Sequence, residues 1–282
     1  MSKLPSQSTS QSIKTAEFRR LHGSRPLVLP NAWDAASARL MEDAGAKAIA
    51  TTSAGISWSH GCNDGQTLTR DEMLAAIGRI VRRVQVPVTA DIEGGYGSGL
   101  PSDVAETVRA VVALGIAGIN LEDSPGRTGQ KLLEPEEQAA RIAAAREAAR
   151  ASGCDLVINA RVDVYMLGVG APETRLAETC RRAALYRAAG ADCVFVPGVI
   201  DRDTIAALVA GVGGPLNIMA MQGAPSTAEL GTLGVARVSS GPLITQVAFA
   251  AIHRVTRELL EQGSYGEGEA LPSFSDLRAL FT

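Results

Sequence analysis

The chain has 282 residues, a formal net charge of −3 and an aromatic content of only 4%. This charge gives no electrostatic footprint for nucleic acid or an anionic membrane surface, and no apolar run approaches the roughly 20 residues of a membrane-spanning helix. We therefore expect neither a nucleic-acid nor a membrane partner. The polar N-terminus lacks the apolar core of a secretory signal, and the four cysteines show no metal-ligand spacing, so we expect a cytoplasmic protein with reduced thiols.

Eight short apolar runs, each followed by a helical stretch, dominate the chain. They are rich in Val, Ile or Ala and do not alternate, which is typical of parallel strands buried on both faces. Eight such units predict an α/β fold, a (β/α)8 TIM barrel. An open doubly wound sheet is the alternative, but no Gly-rich dinucleotide motif follows the first run. The runs cover residues 26–31, 47–52, 87–93, 117–123, 155–163, 191–197, 215–220 and 236–241.

The helical stretches and the two chain ends complete the predicted organisation. Several stretches end in a glycine just before the next strand, the usual C-terminal signal of a helix. Residues 1–25 are predicted to precede the barrel and to cover its closed end with an amphipathic helix at 13–21. The barrel is predicted at 26–262, and a linker with a terminal helix at 263–282, which we expect to pack on a neighbouring subunit. The clearest helix predictions cover residues 69–84, 102–114, 135–151, 173–189 and 242–262.

Acidic side chains end the third and fourth apolar runs. Asp91 and Glu93 end the third run and Glu122 the fourth. With the period-two alternation of a strand, Asp91 and Glu93 are expected to point to the same side. Carboxylates this close repel one another unless a cation intervenes, and a hard divalent ion resolves that repulsion. The pattern favours Mg2+, with Mn2+ as an alternative; acids that only cap helices or pair with arginine are the other interpretation.

Arg161, at the end of the fifth run, is the predicted clamp for a substrate carboxylate or phosphonate. Its planar fork binds such groups in a bidentate way. A structural ion pair with one of the neighbouring acids is the alternative role. Because active sites of such barrels lie at the C-terminal ends of the strands, Arg161 and the acids are expected at one rim.

The end of the second run and the loop after it carry further candidates. Ser53, Ala54 and Gly55 are small residues whose backbone N–H groups have room to approach a bound anion, although Ser-Ala-Gly is also an ordinary turn. Asp64 lies in the following loop and is expected to reach the metal through water. An aspartate in an Asn-Asp-Gly turn is an equally good interpretation of that residue.

The polar, Gly-rich stretch at 124–133 has the composition of a mobile lid over a reaction that excludes water. Within it, Arg127 and Lys131 are the residues predicted to reach an anionic substrate on closure. A solvated surface loop without a function is the alternative.

These strand ends resemble the isocitrate lyase/phosphoenolpyruvate mutase superfamily over about residues 26–260. The resemblance implies a (β/α)8 barrel with a helix exchanged between subunits of a homo-dimer or homo-tetramer. It also implies Mg2+, a 2-oxo or 2-hydroxy acid substrate and an enolate-like species. The motifs that carry it are LPNAWDAASARLMEDAGAKAIATTSAG, TADIEGGYG, GINLEDS, INARVD, GADCVFVPG and ARVSSGP.

The resemblance assigns roles residue by residue. Asp91 matches the direct metal ligand, while Glu93, Glu122 and Asp64 match acids that hold the metal through waters. The segment Ser53, Ala54 and Gly55 matches the one that holds the substrate carboxylate and oxo group. Arg161 matches the substrate-binding arginine, and Asn217 an outer polar contact. Glu93 departs from the Asp more usual at its position, a change that a water-mediated contact tolerates.

Departures from the family pattern bear on the reaction. The loop SPGRTGQKLL lacks the Lys-Lys/Arg-Cys-Gly-His signature of isocitrate and methylisocitrate lyases, and Pro197 replaces a position that is often polar. We therefore expect a Mg2+-dependent lyase that cleaves a C–C bond of a small 2-oxo or 2-hydroxy di-acid, with an oxaloacetate-like substrate favoured. A P–C bond enzyme of the mutase or phosphonopyruvate hydrolase type is one alternative. A non-catalytic metabolite-binding barrel is the other.

Overall fold

Nine short parallel strands form one sheet in this computed structural model, which describes residues 7–23, 26–125, 132–264 and 271–282. The first two are halves of one predicted strand interrupted at Pro30; the first half pairs with the last strand, and the second half with the third. The sheet thus closes as an eight-stranded barrel, which confirms the predicted fold. The strands are β1 (Leu27–Leu29), β2 (Asn31–Ala32), β3 (Ile49–Thr51), β4 (Val88–Asp91), β5 (Gly118–Glu122), β6 (Val157–Arg161), β7 (Cys193–Val196), β8 (Leu216–Met219) and β9 (Arg237–Ser239).

Helices surround the barrel and close its ends. The first begins six residues earlier than predicted, at Gln7, and one short helix, at Ser53–Ser59, was not predicted at all. The others that were predicted agree to within two residues at each end. The helices are α1 (Gln7–Leu21), α2 (Ala35–Asp43), α3 (Ser53–Ser59), α4 (Arg70–Arg83), α5 (Pro101–Ala113), α6 (Pro135–Ala151), α7 (Arg175–Ala188), α8 (Arg202–Gly211), α9 (Thr227–Thr232), α10 (Leu243–Gln262) and α11 (Phe274–Phe281).

Side chains of the strands alternate between two environments. In β5, Ile119 and Leu121 point outward and join the large apolar core shared with the helices. Asn120 and Glu122 belong to the opposite, inward set, as alternation along a strand requires. The interior of the barrel therefore becomes polar toward the C-terminal ends of its strands.

Helix α1 closes the opposite end of the barrel. Its Phe18 is fully buried and packs with Leu29 and Val157 in a separate apolar cluster. The Gln11 side-chain amide also donates hydrogen bonds to the carbonyls of Val112 and Ile116, just before β5 begins. The closed end is thus sealed as predicted for an N-terminal helix.

The last two helices differ in how they contact the barrel. Helix α11, the terminal helix expected to pack on a neighbouring subunit, packs on α2 of its own chain, and its Leu280 carbonyl accepts a hydrogen bond from Arg39. Contact with a neighbouring subunit stays a prediction. Helix α10 buries only one of its 20 residues, Thr245, and leaves large apolar side chains such as Ile252 exposed. Within the described ranges, none of the helices is both long enough and apolar enough to cross a membrane.

Candidate functional site

A cavity of about 90 Å³ lies at the C-terminal ends of the strands, where the sequence predicts the site. It brings together several predicted residues from separate elements, because parallel strands end at one rim. Apolar side chains, among them Phe195 and Pro197, form another part of its wall. The predicted residues that line it are Ser53, Ala54, Asp64, Asp91 and Arg161.

Asp91 is the last residue of β4 and is almost completely buried. Its own N–H donates to the hydroxyl of Thr51 at 2.8 Å, which fixes the backbone. From the described residues, its carboxylate oxygens accept only two hydrogen bonds, both long, from the N–H groups of Ser53 and Glu93 at 3.3 Å. Bonds of this length are weak, so Asp91 keeps most of its capacity to bind a ligand.

Glu93 lies beyond the end of β4, so the strand alternation on which its predicted direction was based does not extend to it. Its backbone is left-handed, with φ of 50°, so its side-chain direction does not follow from the strand period. Both carboxylate oxygens are engaged at short range. One accepts from the Tyr96 hydroxyl at 2.7 Å and the other from the Gln66 N–H at 2.5 Å.

The acids around Asp91 are held in an environment that disfavours their charged forms. Burial, followed by the charges of Asp64 and Asp91, raises the pKa of Glu93 to about 7, against the hydrogen bond from Tyr96. Burial and the Asp91 charge also raise the pKa of Asp64, which the hydroxyl of Ser53 partly offsets. Burial and repulsion between like charges therefore both raise the pKa values of these acids.

Glu122 and Arg161 form a buried ion pair across β5 and β6. Arg161 Nη1 lies 2.7 Å from Glu122 Oε2, and its Nε lies 2.6 Å from Asp163 Oδ1. The other Glu122 oxygen accepts from the Ser124 hydroxyl at 2.7 Å. The ion pair that the sequence left open as an alternative role of Arg161 is present, and the same side chain also lines the cavity.

Burial and the ion pair act in opposite directions on the pKa values of Glu122 and Arg161. Burial raises the pKa of Glu122 well above its usual value, although the Arg161 guanidinium opposes the shift. Burial alone would lower the pKa of Arg161, but the carboxylates of Asp163 and Glu122 raise it instead. Arg161 is therefore a permanent cation at the cavity wall.

The segment after β3 begins helix α3, which makes part of the prediction for its amides wrong. The Gly55 N–H donates its one hydrogen to the Thr52 side chain that caps the helix, at 3.3 Å; unlike a carboxylate with several lone pairs, it has no second hydrogen for a ligand. The Ser53 N–H donates to Asp91. Among the described residues, none accepts a hydrogen bond from the Ala54 N–H, which remains the donor available to a ligand.

Three other predicted residues lie away from the cavity or outside the described ranges. Asn217 is buried on β8 and does not line the cavity; its amide nitrogen donates instead to Ser239, which does. Arg127 and Lys131, the predicted lid residues, belong to 126–131 and lie outside the described residues.

Sequence reasoning gave no role to several residues that the structure adds. Tyr96 and Gln66 hold Glu93, and Asn120 lines the cavity beside Asp91. Asn120 and Tyr96 both lie within the strand-end motifs, so their position was visible. Their contacts were not, because those of Tyr96 depend on the left-handed turn after β4 and those of Asn120 on side chains of β6 and β9.

The acids fit a divalent metal held through few direct contacts. Glu93 and Glu122 each have both oxygens engaged at 2.5–2.7 Å, whereas Asp91 does not. In the described part of the chain, no three His, Cys, Asp or Glu side chains are grouped so that together they hold a metal ion directly. Mg2+ commonly takes one or two carboxylates and keeps several waters, and such an ion would relieve the repulsion that raises the pKa values of these acids.

Comparisons with known proteins agree with this fold. An uncharacterized protein from Mycobacterium tuberculosis is 39% identical over 251 residues, 89% of each chain. Oxaloacetate decarboxylase 2 from Pseudomonas putida is 34% identical over 218 residues, 75% of this chain and 68% of that protein. A solved structure of oxaloacetate acetylhydrolase in complex with the inhibitor 3,3-difluorooxalacetate has a TM-score of 0.84 and 26% identity, and the match covers 96% of this chain and 93% of that one.

Residues 18–260 match the phosphoenolpyruvate phosphomutase family. This match spans most of the 282 residues, and the similar proteins named above include lyases and hydrolases that act on oxaloacetate by name. The chain belongs to the phosphoenolpyruvate phosphomutase family, within the isocitrate lyase/phosphoenolpyruvate mutase superfamily of enzymes.

Proposed function

We propose that this protein is a Mg2+-dependent lyase that cleaves a C–C bond of a small 2-oxo or 2-hydroxy di-acid, with an oxaloacetate-like substrate favoured. One observation carries the proposal: Asp91, Asp64 and Arg161 line the same small cavity. A di-acid needs a cationic group for a carboxylate and a metal site for the reacting oxygens, and the cavity offers both. The names of two similar proteins, oxaloacetate decarboxylase 2 and oxaloacetate acetylhydrolase, support the choice of substrate.

Asp91 would hold the metal directly, and Glu93, Glu122 and Asp64 would hold it through waters. Bound Mg2+ supplies a Lewis acid for the substrate's carboxylate and 2-oxygen. The engaged oxygens of Glu93 and Glu122 suit an outer role, because Tyr96, Gln66 and Ser124 already fix them.

Arg161 would bind a substrate carboxylate with the part of its guanidinium that the acids leave free. Nε donates to Asp163, Nη1 lies 2.7 Å from Glu122 in an ion pair, and no described residue accepts a hydrogen bond from Nη2. The two acids therefore orient the fork, and Nη2 remains for the ligand. Charge-assisted bonds of this kind are stronger than neutral ones.

In a decarboxylation, the bond between C3 and C4 breaks, CO2 leaves, and the electron pair moves toward the C2 oxygen to give an enolate. C3 then takes up a proton to form the 2-oxo acid product. The Ala54 N–H and Arg161 would stabilise the negative charge that develops, in a cavity whose apolar wall limits water.

A P–C bond reaction is the second candidate, and the family match favours it. Arg161 and the metal acids suit phosphonopyruvate as well as oxaloacetate, because both carry a 2-oxo acid. The reactions differ in the bond that breaks at C3.

Parallel assays with oxaloacetate and phosphonopyruvate test the proposal. With Mg2+ and a no-enzyme control, we expect saturable loss of oxaloacetate to CO2 and pyruvate, or to oxalate and acetate, and no change of the 31P spectrum of phosphonopyruvate. Phosphate or phosphoenolpyruvate formed from phosphonopyruvate, without oxaloacetate turnover, would establish the second candidate. Ligand binding without turnover of any 2-oxo or 2-hydroxy acid would indicate a non-catalytic barrel.

A further inference from the structure

Below the cavity, the interior of the barrel contains a fully buried cation, Arg237 on β9. Burial lowers the pKa of its guanidinium to about 10, so it remains charged at neutral pH. Its one hydrogen bond among the described residues goes from Nη2 to Asn120 Oδ1, at 3.2 Å. Its Nε and Nη1 are buried and have no hydrogen-bond partner in the described part of the chain. Burial of a charge that makes a single hydrogen bond is energetically unfavourable. The guanidinium that contacts Asn120 is therefore in an unusual environment.

The side-chain amide of Asn120 is held from two sides through the same atom. Its Oδ1 accepts from Arg237 and also from the Asn159 Nδ2, at 2.8 Å. An arginine only donates hydrogen bonds, so the atom that faces it must be the amide oxygen. This contact fixes which end of the amide points toward the barrel interior.

The amide nitrogen of Asn120 is therefore the end that faces the cavity. Asn120 lines the cavity and pairs in register with Asp91 on the neighbouring strand. No described residue accepts a hydrogen bond from this nitrogen. Donation to its oxygen from a buried cation also polarises the amide, which strengthens the remaining N–H donors.

We propose that Asn120 is a substrate-binding residue that donates a hydrogen bond to an oxygen of the bound 2-oxo acid, and that Asn159 and Arg237 are positioning residues that turn its NH2 group toward the cavity. The inference rests on the proposed function. It adds a neutral donor to a site that otherwise offers Arg161 and the Ala54 N–H. A neutral donor suits an oxygen on which negative charge develops during the reaction.

Binding of oxalate, a planar mimic of the enolate, tests the assignment by calorimetry at saturating Mg2+. Loss of a hydrogen bond to a charged ligand predicts that Asn120→Ala weakens oxalate binding roughly 10- to 100-fold. Affinity for Mg2+ alone should stay unchanged. Asn120→Asp keeps the acceptor for Arg237 and replaces the donor by an oxygen, so it should weaken oxalate at least as much; it provides a second variant if the alanine form does not fold.

Asn159→Ala tests the positioning role, because it removes one of the two bonds that orient Asn120. We expect oxalate affinity to fall about 3- to 10-fold, and the double variant to bind no more weakly than Asn120→Ala alone. Thr89→Val is the matched control, since the Thr89 hydroxyl is buried inside the barrel and has no hydrogen-bond partner within the described ranges.

The outcomes separate this inference from the proposed function. If the unaltered protein binds no oxalate and converts no 2-oxo acid, the proposed function fails and the inference with it. If the unaltered protein binds oxalate but Asn120→Ala and Asn120→Asp bind it equally well, only the role of Asn120 is overturned. Additive effects of the Asn159 and Asn120 variants would overturn the positioning role.

Discussion

Asp91 and Arg161 illustrate what single residues contribute to the site. Both lie at strand ends, and a carboxylate and a guanidinium at such positions are informative without any structure, because active sites of these barrels lie there. Glu93 was predictable as an acid of the rim but not in its orientation. Its φ of 50° and its contacts with Tyr96 and Gln66 depend on a turn that the strand period does not describe.

Gly55 lies where there is no space for a larger side chain, a constraint that its residue type alone does not reveal. A Cβ added there would lie 2.6 Å from both Thr245 Oγ1 and Thr52 Cγ2 and 3.0 Å from Trp33 Cβ. Its backbone is ordinary helix, so space, and not conformation, requires glycine. The close contact also explains why Thr245 is the buried residue of α10.

Gly55→Ala should destabilise the protein, because the added methyl group has no room. Overpacking of this kind costs about 1–3 kcal/mol in the free energy of unfolding, measured by chemical denaturation. Gly78→Ala in α4 is the matched control, since its nearest neighbours are the flexible ends of Arg82 and Leu114, at 3.2 and 3.3 Å. Equal stability changes in the two variants would argue against a tight contact at Gly55.

Among the secondary-structure elements, the strands were predicted well from the apolar runs, because all of them except β1, whose Val28 is half-exposed, are buried on both faces. Helix α3 was missed for the opposite reason. It is seven residues long and starts directly at the end of β3, so the Ser-Ala-Gly sequence is typical of a turn. Helix α1 was predicted only in its amphipathic second half, since its first residues are polar.

The C-terminal end of α1 carries a histidine whose protonation is linked to stability. His22 Nδ1 donates to the Phe18 carbonyl at 2.8 Å, and its buried Nε2 has no hydrogen-bond partner among the residues that the structure describes. Burial, followed by the charge of Arg237, lowers the pKa of His22 from 6.5 to about 4. As pH falls below about 6.5, the unfolded chain binds a proton that the folded chain does not, so stability is lost down to about pH 4.

We expect His22→Gln to weaken this pH dependence. Each pKa unit corresponds to about 1.4 kcal/mol, so the difference in unfolding free energy between pH 7.5 and pH 5 should shrink measurably in the variant. His253→Gln, an exposed position on α10, serves as the control. Parallel stability curves for His22→Gln and the unaltered protein would show that His22 does not titrate as described.

For the whole molecule, eight repeated strand–helix units were sufficient to predict a closed barrel. The packing of α10 was not predictable in the same way, because its apolar side chains are barely buried by the described part of the chain. Val247 and Ile252 on this helix are 61% and 63% exposed. An apolar groove that includes the half-exposed Val28 of β1 lies on the outer surface of the same barrel.

We propose that α10 packs on a second copy of this chain and that the protein is a homo-oligomer, a dimer or a tetramer. Exposed apolar faces of this size commonly mark interfaces. Light scattering should give at least twice the chain mass of 29.3 kDa, and Ile252→Glu should reduce the assembled mass. Ile13→Glu, at a similarly exposed apolar residue on α1, is the control. A monomer in the unaltered protein would contradict the proposal.

Catalysis by this protein is proposed to depend on a metal held by Asp91. The most direct test compares oxaloacetate turnover by metal-stripped protein, before and after Mg2+ is restored, with that of Asp91→Ala and of the control Asp203→Ala, an exposed acid on α8. We expect restored activity in the unaltered and control proteins. In Asp91→Ala we expect a loss greater than the roughly 10–100-fold that removal of an outer-shell partner costs. Undiminished, Mg2+-dependent turnover in Asp91→Ala would contradict the account.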